Sequence, residues 1–368
     1  MLSTGRLLAL SSIVALVRAG QSTFNPLDHN RLTATCKAIR RGTQEAVVDI
    51  QLKYVDINLH SSTTMIMVHG WPSLWSSWGQ QIESFKNDYR LIAPDLRGFG
   101  QSTHPGNPET SGSLADMVGD LVCILEHAKV SSAICMGHDW GSTVCYEAAR
   151  RRPDIFTAVV GIVVPYISAA RAFIPTREFG SMFETLRYQA FFDTSPTKAS
   201  KELSHDIRRT LRATLRTASS PPPKDFLKSN DSFLDAWSGV KDIPSIPFFS
   251  SVEEEYFISQ YELHGFGMTF QFYANENRLL NWESSRQQGN YTIPQPVLAV
   301  YPTQDPVADW VKAAEIMKSS TFLPRLTVKT MPGSHWPHIE KPGIFNMFVR
   351  DWLAEHREAR TRRTPDEL

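Results

Sequence analysis

The pentapeptide Gly137-His138-Asp139-Trp140-Gly141 narrows the choice of fold more than any other part of this chain. It follows a short continuous apolar run, Ala133-Ile134-Cys135-Met136, and precedes a stretch of helical pattern from Ser142 to Arg151. A strand that turns sharply into a helix between two glycines holds its central side chain out at the carboxyl edge of a sheet. Asp139 is that side chain. A carboxylate needs no deprotonation and attacks an electrophilic alkyl carbon directly, forming an ester. Taken alone, the pentapeptide also reads as a helix N-cap Asp in a glycine-rich turn.

The surrounding pattern decides between these readings. Met65-Ile66-Met67-Val68 and Leu91-Ile92-Ala93 are further short apolar runs, as expected of parallel strands buried on both faces, whereas Val47 to Asn58 alternates like a half-buried antiparallel strand. Ser113 to His127 carries apolar residues at helical spacing behind a Ser cap. A second set of runs follows at Ala158 to Val164, Val297 to Val300 and Leu326 to Val328. This alternation predicts an α/β chain, a mostly parallel sheet with helices on both faces. The core falls in two pieces, residues 45–165 and 291–355. Between them residues 166–290 break the alternation, are rich in aromatic residues and carry the stop Pro221-Pro222-Pro223, which predicts an inserted helical cap.

Asp305 follows the strand run at Val297 and His335 follows the run at Leu326, so both are placed at the edge that carries Asp139. The order nucleophile, acid, histidine is that of triads built on an elbow of this kind. His335 is expected to activate water and Asp305 to hold its tautomer; His338 and Asp309 are the rivals, a few residues farther from the strand ends. His69-Gly70-Trp71-Pro72 ends an earlier strand run, and the backbone N–H groups of Trp71 and Trp140 are the expected oxyanion-hole donors.

With His69 to Pro72, Asp95-Leu96-Arg97-Gly98-Phe99-Gly100-Gln101-Ser102, Gly137 to Gly141, Gln304-Asp305-Pro306 and His335-Trp336 together, the chain resembles the α/β-hydrolase epoxide hydrolases from about residue 45 to residue 352. The resemblance implies ring opening to a vicinal diol through an aspartyl ester, with an epoxide and water as reactants and no cofactor or metal. It also implies two cap tyrosines that bind the epoxide oxygen. Tyr188 in LRYQAFF matches the first and Tyr273 in GFGMTFQFYANENRLLNW the second, with Tyr261 and Tyr256 as alternatives to the latter. The haloalkane dehalogenases are similar even to Asp-Trp-Gly, but that family usually has Asn or Glu where Trp71 stands. Fluoroacetate dehalogenases carry Arg where Ser142 and Thr143 stand. A hydrolase-fold binding protein without turnover, and epoxide opening by a hydroxyl of the same substrate, are further readings.

Residues 1–20 read MLSTGRLLALSSIVALVRAG: one Arg, an apolar run from Leu7 to Val17, then small residues, the pattern of a secretory signal, with an uncleaved membrane anchor as the alternative. The sequons at Asn230 and Asn290 fit a glycoprotein of the secretory pathway. The chain closes on Pro365-Asp366-Glu367-Leu368, which shares three residues with retention signals of the endoplasmic reticulum and reads equally as chance. Residues 356–368 are expected to form a tail. Cys36, Cys123, Cys135 and Cys145 show no metal-ligand spacing and read as buried free thiols, with a bridge involving Cys36 left open. Basic and acidic residues balance at 38 each, so no basic surface predicts a nucleic-acid partner.

Overall fold

The computed structural model describes residues 24–361, with side chains to residue 356. The leader read at residues 1–20 and the PDEL tail lie outside the described residues. Eight strands form one sheet in the order β1-β2-β4-β3-β5-β6-β7-β8. They are β1 (Leu32–Arg40), β2 (Ala46–Ile57), β3 (Thr64–Val68), β4 (Arg90–Pro94), β5 (Ala133–His138), β6 (Phe156–Ile162), β7 (Val297–Pro302) and β8 (Leu326–Met331). The pairs β1·β2 and β2·β4 are antiparallel; from β4 through β3 to β8 every pair is parallel. Every residue of β3, β5 and β7 is buried, as the continuous apolar runs require.

In the core, α1 (Gly79–Phe85), α2 (Leu114–His127) and α3 (Trp140–Arg151) precede β6. The helix α2 starts on a capping box made by Ser113 and Asp116 and packs on β1 and α3, while α3 packs on β5 and β6. Between β6 and β7 the chain contributes no strand to the sheet and runs through α4 (Thr176–Met182), α5 (Arg187–Thr194), α6 (Pro196–His205), α7 (Ile207–Thr214), α8 (Ser251–Glu262) and α9 (Asn275–Gln288). Phe192, Phe233, Phe266, Phe270 and Tyr273 of this segment close around the Trp71 ring, so the insertion lies over the loops that leave β3 and β5. The chain ends with α10 (Trp310–Ile316), α11 (Pro337–Glu340) and α12 (Pro342–Thr361). Among the described residues no helix is long and apolar enough to cross a membrane.

The cysteine reading needs correction. Cys36 on β1 is bonded to Cys123 on α2, and Cys135 on β5 to Cys145 on α3, with Cα–Cα separations of 6.0 and 5.4 Å. Both bridges arise from helices packing on strands; one joins residues 87 positions apart, which no local spacing announces.

Candidate active site

Asp139 sits between β5 and α3 with φ 55° and ψ −123°, a conformation rare for a side chain other than glycine. Close packing maintains it. A Cβ at Gly141 would stand 2.0 Å from the Val68 carbonyl oxygen, and one at Gly70 would stand 2.5 Å from Asp139 Oδ1. Beneath the turn, the buried Ser142 hydroxyl, with one proton to share, lies 2.7 Å from the Gly137 carbonyl and 2.8 Å from the Ile162 carbonyl and accepts from the Ile162 N–H, which ties β5, β6 and α3 together.

The two Asp139 oxygens have different surroundings. Oδ1 accepts the Trp71 N–H at 2.9 Å, and the Trp140 N–H also bonds the carboxylate. Oδ2 faces His335 Nε2 at 3.6 Å. Burial pushes the Asp139 pKa up, opposed by the His335 charge and the two backbone N–H groups. His335 Nδ1 lies 2.8 Å from Asp305 Oδ2, so the Nδ1–H tautomer donates to Asp305 and leaves Nε2 as a lone-pair acceptor facing Oδ2 of Asp139. Burial alone would lower the His335 pKa; the Asp305 charge, its hydrogen bond and the Asp139 charge outweigh burial and raise it.

Asp139, His335, Tyr188 and Trp71 line one cavity, walled further by Phe226, Leu227, Phe233, Val307 and Trp336. Tyr273 is 1% exposed and reaches this group through other side chains. Its hydroxyl is hydrogen-bonded to the Trp140 side chain and to Tyr188, whose oxygen also accepts from Gln189 Nε2 at 3.5 Å. Burial raises the pKa of both phenols, and the neighbouring Asp139 charge raises them further. The structure thus brings Asp139, His335, Asp305, Tyr188, Tyr273 and the N–H groups of Trp71 and Trp140 to one edge of the sheet.

The rivals are occupied elsewhere. Asp309 caps α10 through the Lys312 N–H. His338 is wholly buried against His138 and Trp78, with its pKa lowered to about 3 by burial first and the His335 charge second. Tyr256 bonds Arg31 and Trp75, and Tyr261 donates to the Ser73 carbonyl. Within the Asp95 to Ser102 motif, Arg97 makes a buried two-point pair with Asp120, and Asp95 takes the Trp75 N–H and the Arg31 guanidinium, so these residues shape the loop beside the site.

Two contacts have no counterpart in the sequence reading. The Trp310 indole N–H donates to Asp305 Oδ2 at 2.6 Å, and His138 Nε2–H donates to the His335 carbonyl at 2.8 Å. Among the described residues no group of three or more His, Cys, Asp or Glu side chains is placed to hold a metal ion.

The model of the alpha/beta hydrolase fold family matches residues 63–342. Epoxide hydrolase A of Mycobacterium tuberculosis is 29% identical over 324 residues, covering 84% of this chain and 97% of the relative. Epoxide hydrolase 3 of Siraitia grosvenorii is 27% identical, covering 82% and 98%. The solved structure of Epoxide Hydrolase A from Mycobacterium thermoresistibile superposes with a TM-score of 0.68 at 25% identity, covering 87% of this chain and 98% of that one. An epoxide hydrolase from an endophytic Streptomyces, at 23% identity and a TM-score of 0.71 with 88% of this chain and 97% of that one covered, shares the fold. The matched region spans more than half of the sequence and takes in Asp139, Asp305 and His335: this chain belongs to the alpha/beta hydrolase fold family.

Proposed function

We propose that this chain hydrolyses epoxides to vicinal diols through an ester on Asp139. The observation that carries the reading is the division of labour on Asp139: Oδ1 accepts the Trp71 N–H and the Trp140 N–H bonds the same carboxylate, while Oδ2 faces His335, and Asp139, His335 and Tyr188 line one cavity. The similarity to enzymes named epoxide hydrolases supports it. Oδ2 attacks a ring carbon, the carbon–oxygen bond breaks, and the oxygen takes the Tyr188 proton, with Tyr273 hydrogen-bonded behind it. Esterification removes the Asp139 charge that helps raise the His335 pKa, so the base becomes freer when it is needed.

His335 Nε2 then takes a proton from water as the oxygen adds to the ester carbon. The Trp71 and Trp140 N–H groups receive the developing charge on Oδ1. Collapse expels the diol oxygen, which takes the proton back from His335; the acid left on Asp139 returns its proton to the Tyr188 oxygen. A dehalogenase reading is disfavoured because the Trp140 side chain, which would face a halide, is bonded to Tyr273 and stacked on Phe272 at 5.3 Å. In one turnover in ¹⁸O-water the first diol should carry no label and the label should enter Asp139. A fully labelled first diol would mean direct attack by water and would overturn the mechanism.

We further propose that the chain enters the secretory pathway. Two disulfides support this, since oxidising compartments favour them, and so does the exposure of Asn230 and Asn290. Protein recovered from its native source should begin near residue 21 and lose mass on treatment with an N-glycosidase. A reduced, unglycosylated chain starting at Met1 would contradict it.

A further inference from the structure

The Asp305 side chain is wholly buried, and three N–H groups converge on it. The Val307 N–H meets Oδ1 at 2.8 Å, while Oδ2 is shared by His335 Nδ1 at 2.8 Å and the Trp310 indole at 2.6 Å. Trp310 is the first residue of α10, where Asp309 caps the helix, so its ring is fixed at a helix start five residues beyond the carboxylate it touches. We propose that Trp310 is a positioning residue for the ester-hydrolysis half of the reaction, orienting Asp305 and restraining the pull of that carboxylate on His335.

The chemistry follows from two donors sharing one oxygen. Each disperses charge that the other would otherwise meet in full, so the indole holds the Asp305 carboxylate in place while weakening its grip on the imidazolium. The titratable groups facing His335 are Asp305 after β7, Asp139 at the elbow, His138 at the end of β5 and His338 in α11; Tyr188 of α5 and Arg216 line the same cavity. Burial holds His138 and His338 neutral and keeps Tyr188 protonated, so Asp305 and Asp139 are the groups that set the base. Once Asp139 is esterified, Asp305 alone holds the imidazolium, and the Trp310 bond then has its largest effect.

Trp310→Phe keeps the ring and removes the N–H. Without that donor the carboxylate binds the imidazolium more tightly, the His335 pKa rises, and less free base is present at a given pH. The kinetic arm rests on the epoxide reading. Rapid-quench measurements should find ester formation on Asp139 within about twofold of the unmodified enzyme, while the acid limb of ester hydrolysis moves up by on the order of half a pH unit. A limb that stays or moves down, or ester formation that falls in the same proportion as hydrolysis, overturns the proposal and leaves Trp310 as packing.

A second measurement needs neither the variant nor a substrate. Among the nine tryptophans of the full chain labelled with ¹⁵N, one indole N–H resonance should move with the pH that titrates the His335 ring. If none follows His335, the proposal fails. If no epoxide yields ester or diol, the activity reading fails instead, and the indole titration still decides the role of Trp310.

Discussion

The cap tyrosines are not an equivalent pair. Tyr188 lines the cavity with Asp139 and His335, whereas Tyr273 is 1% exposed, is not among the cavity's walls and sits behind Tyr188 against Trp140. Loss of a donor aimed at a developing oxyanion lowers rates by roughly 10²-fold to 10³-fold. Tyr188→Phe is therefore expected to slow ester formation by roughly that much, and Tyr273→Phe by less, both folding normally because the rings stay. Stopped-flow alkylation rates check this. Equal losses would indicate that both hydroxyls touch the oxygen, and a larger loss at Tyr273 would reverse the assignment.

At the scale of elements, what was legible in the sequence was what is local. The elbow could be read because strand, turn and helix follow one another within Ala133 to Arg151, and because close contacts such as that of Gly141 with the Val68 carbonyl admit no other residue. Asp305 and His335 could be placed because each follows a short strand, β7 buried throughout and β8 at the edge of the sheet, whose carboxyl ends mark the same edge. The strand β1 left no comparable trace: its fully buried positions are Ala34, Cys36 and Ala38, small residues that do not stand out as an apolar alternation. The disulfides escaped for the same reason that β1 did, since Cys36 meets Cys123 only after β1 and α2 pack. Trp310 was hidden differently. Its partner lies five residues upstream, and their contact depends on the Pro306 to Asp309 loop shape, which no periodicity reports. In the insertion, Tyr273 follows a 3-10 turn, Gly267–Phe272, where side-chain direction cannot be inferred from α-helical spacing.

Across the whole molecule, the fold keeps four imidazoles neutral, three in the core and one, His104, where the insertion meets it. His69 donates from Nδ1 to the Gly70 carbonyl and accepts the Leu96 N–H at Nε2; His104 accepts the Gly106 N–H and bonds Gln271 of the insertion. His138 holds the His335 carbonyl, and His338 packs behind it. Burial is the largest cause of a lowered pKa at all four, to about 4 for His104 and about 3 for His338. The sign is unambiguous. Below about pH 6.5 the unfolded chain binds a proton at each site and the folded chain does not, so stability falls as pH falls, until each folded value is reached. Each group contributes a slope of up to ~1.4 kcal/mol per pH unit between its folded value and about 6.5, against a total stability of about 5–15 kcal/mol. His335 does not oppose this, because its raised pKa makes its contribution fully present below the unfolded value and lost only as pH rises. Loss of stability is therefore expected to begin below about pH 6.5, before most carboxylates protonate. Urea titrations followed by circular dichroism from pH 7 to pH 5 should show the unfolding free energy dropping as protons are taken up on unfolding, and His338→Phe should make that slope shallower. An unfolding free energy that stays flat over this range would mean that these imidazoles titrate alike in the folded and unfolded chain, and that burial does not hold them neutral.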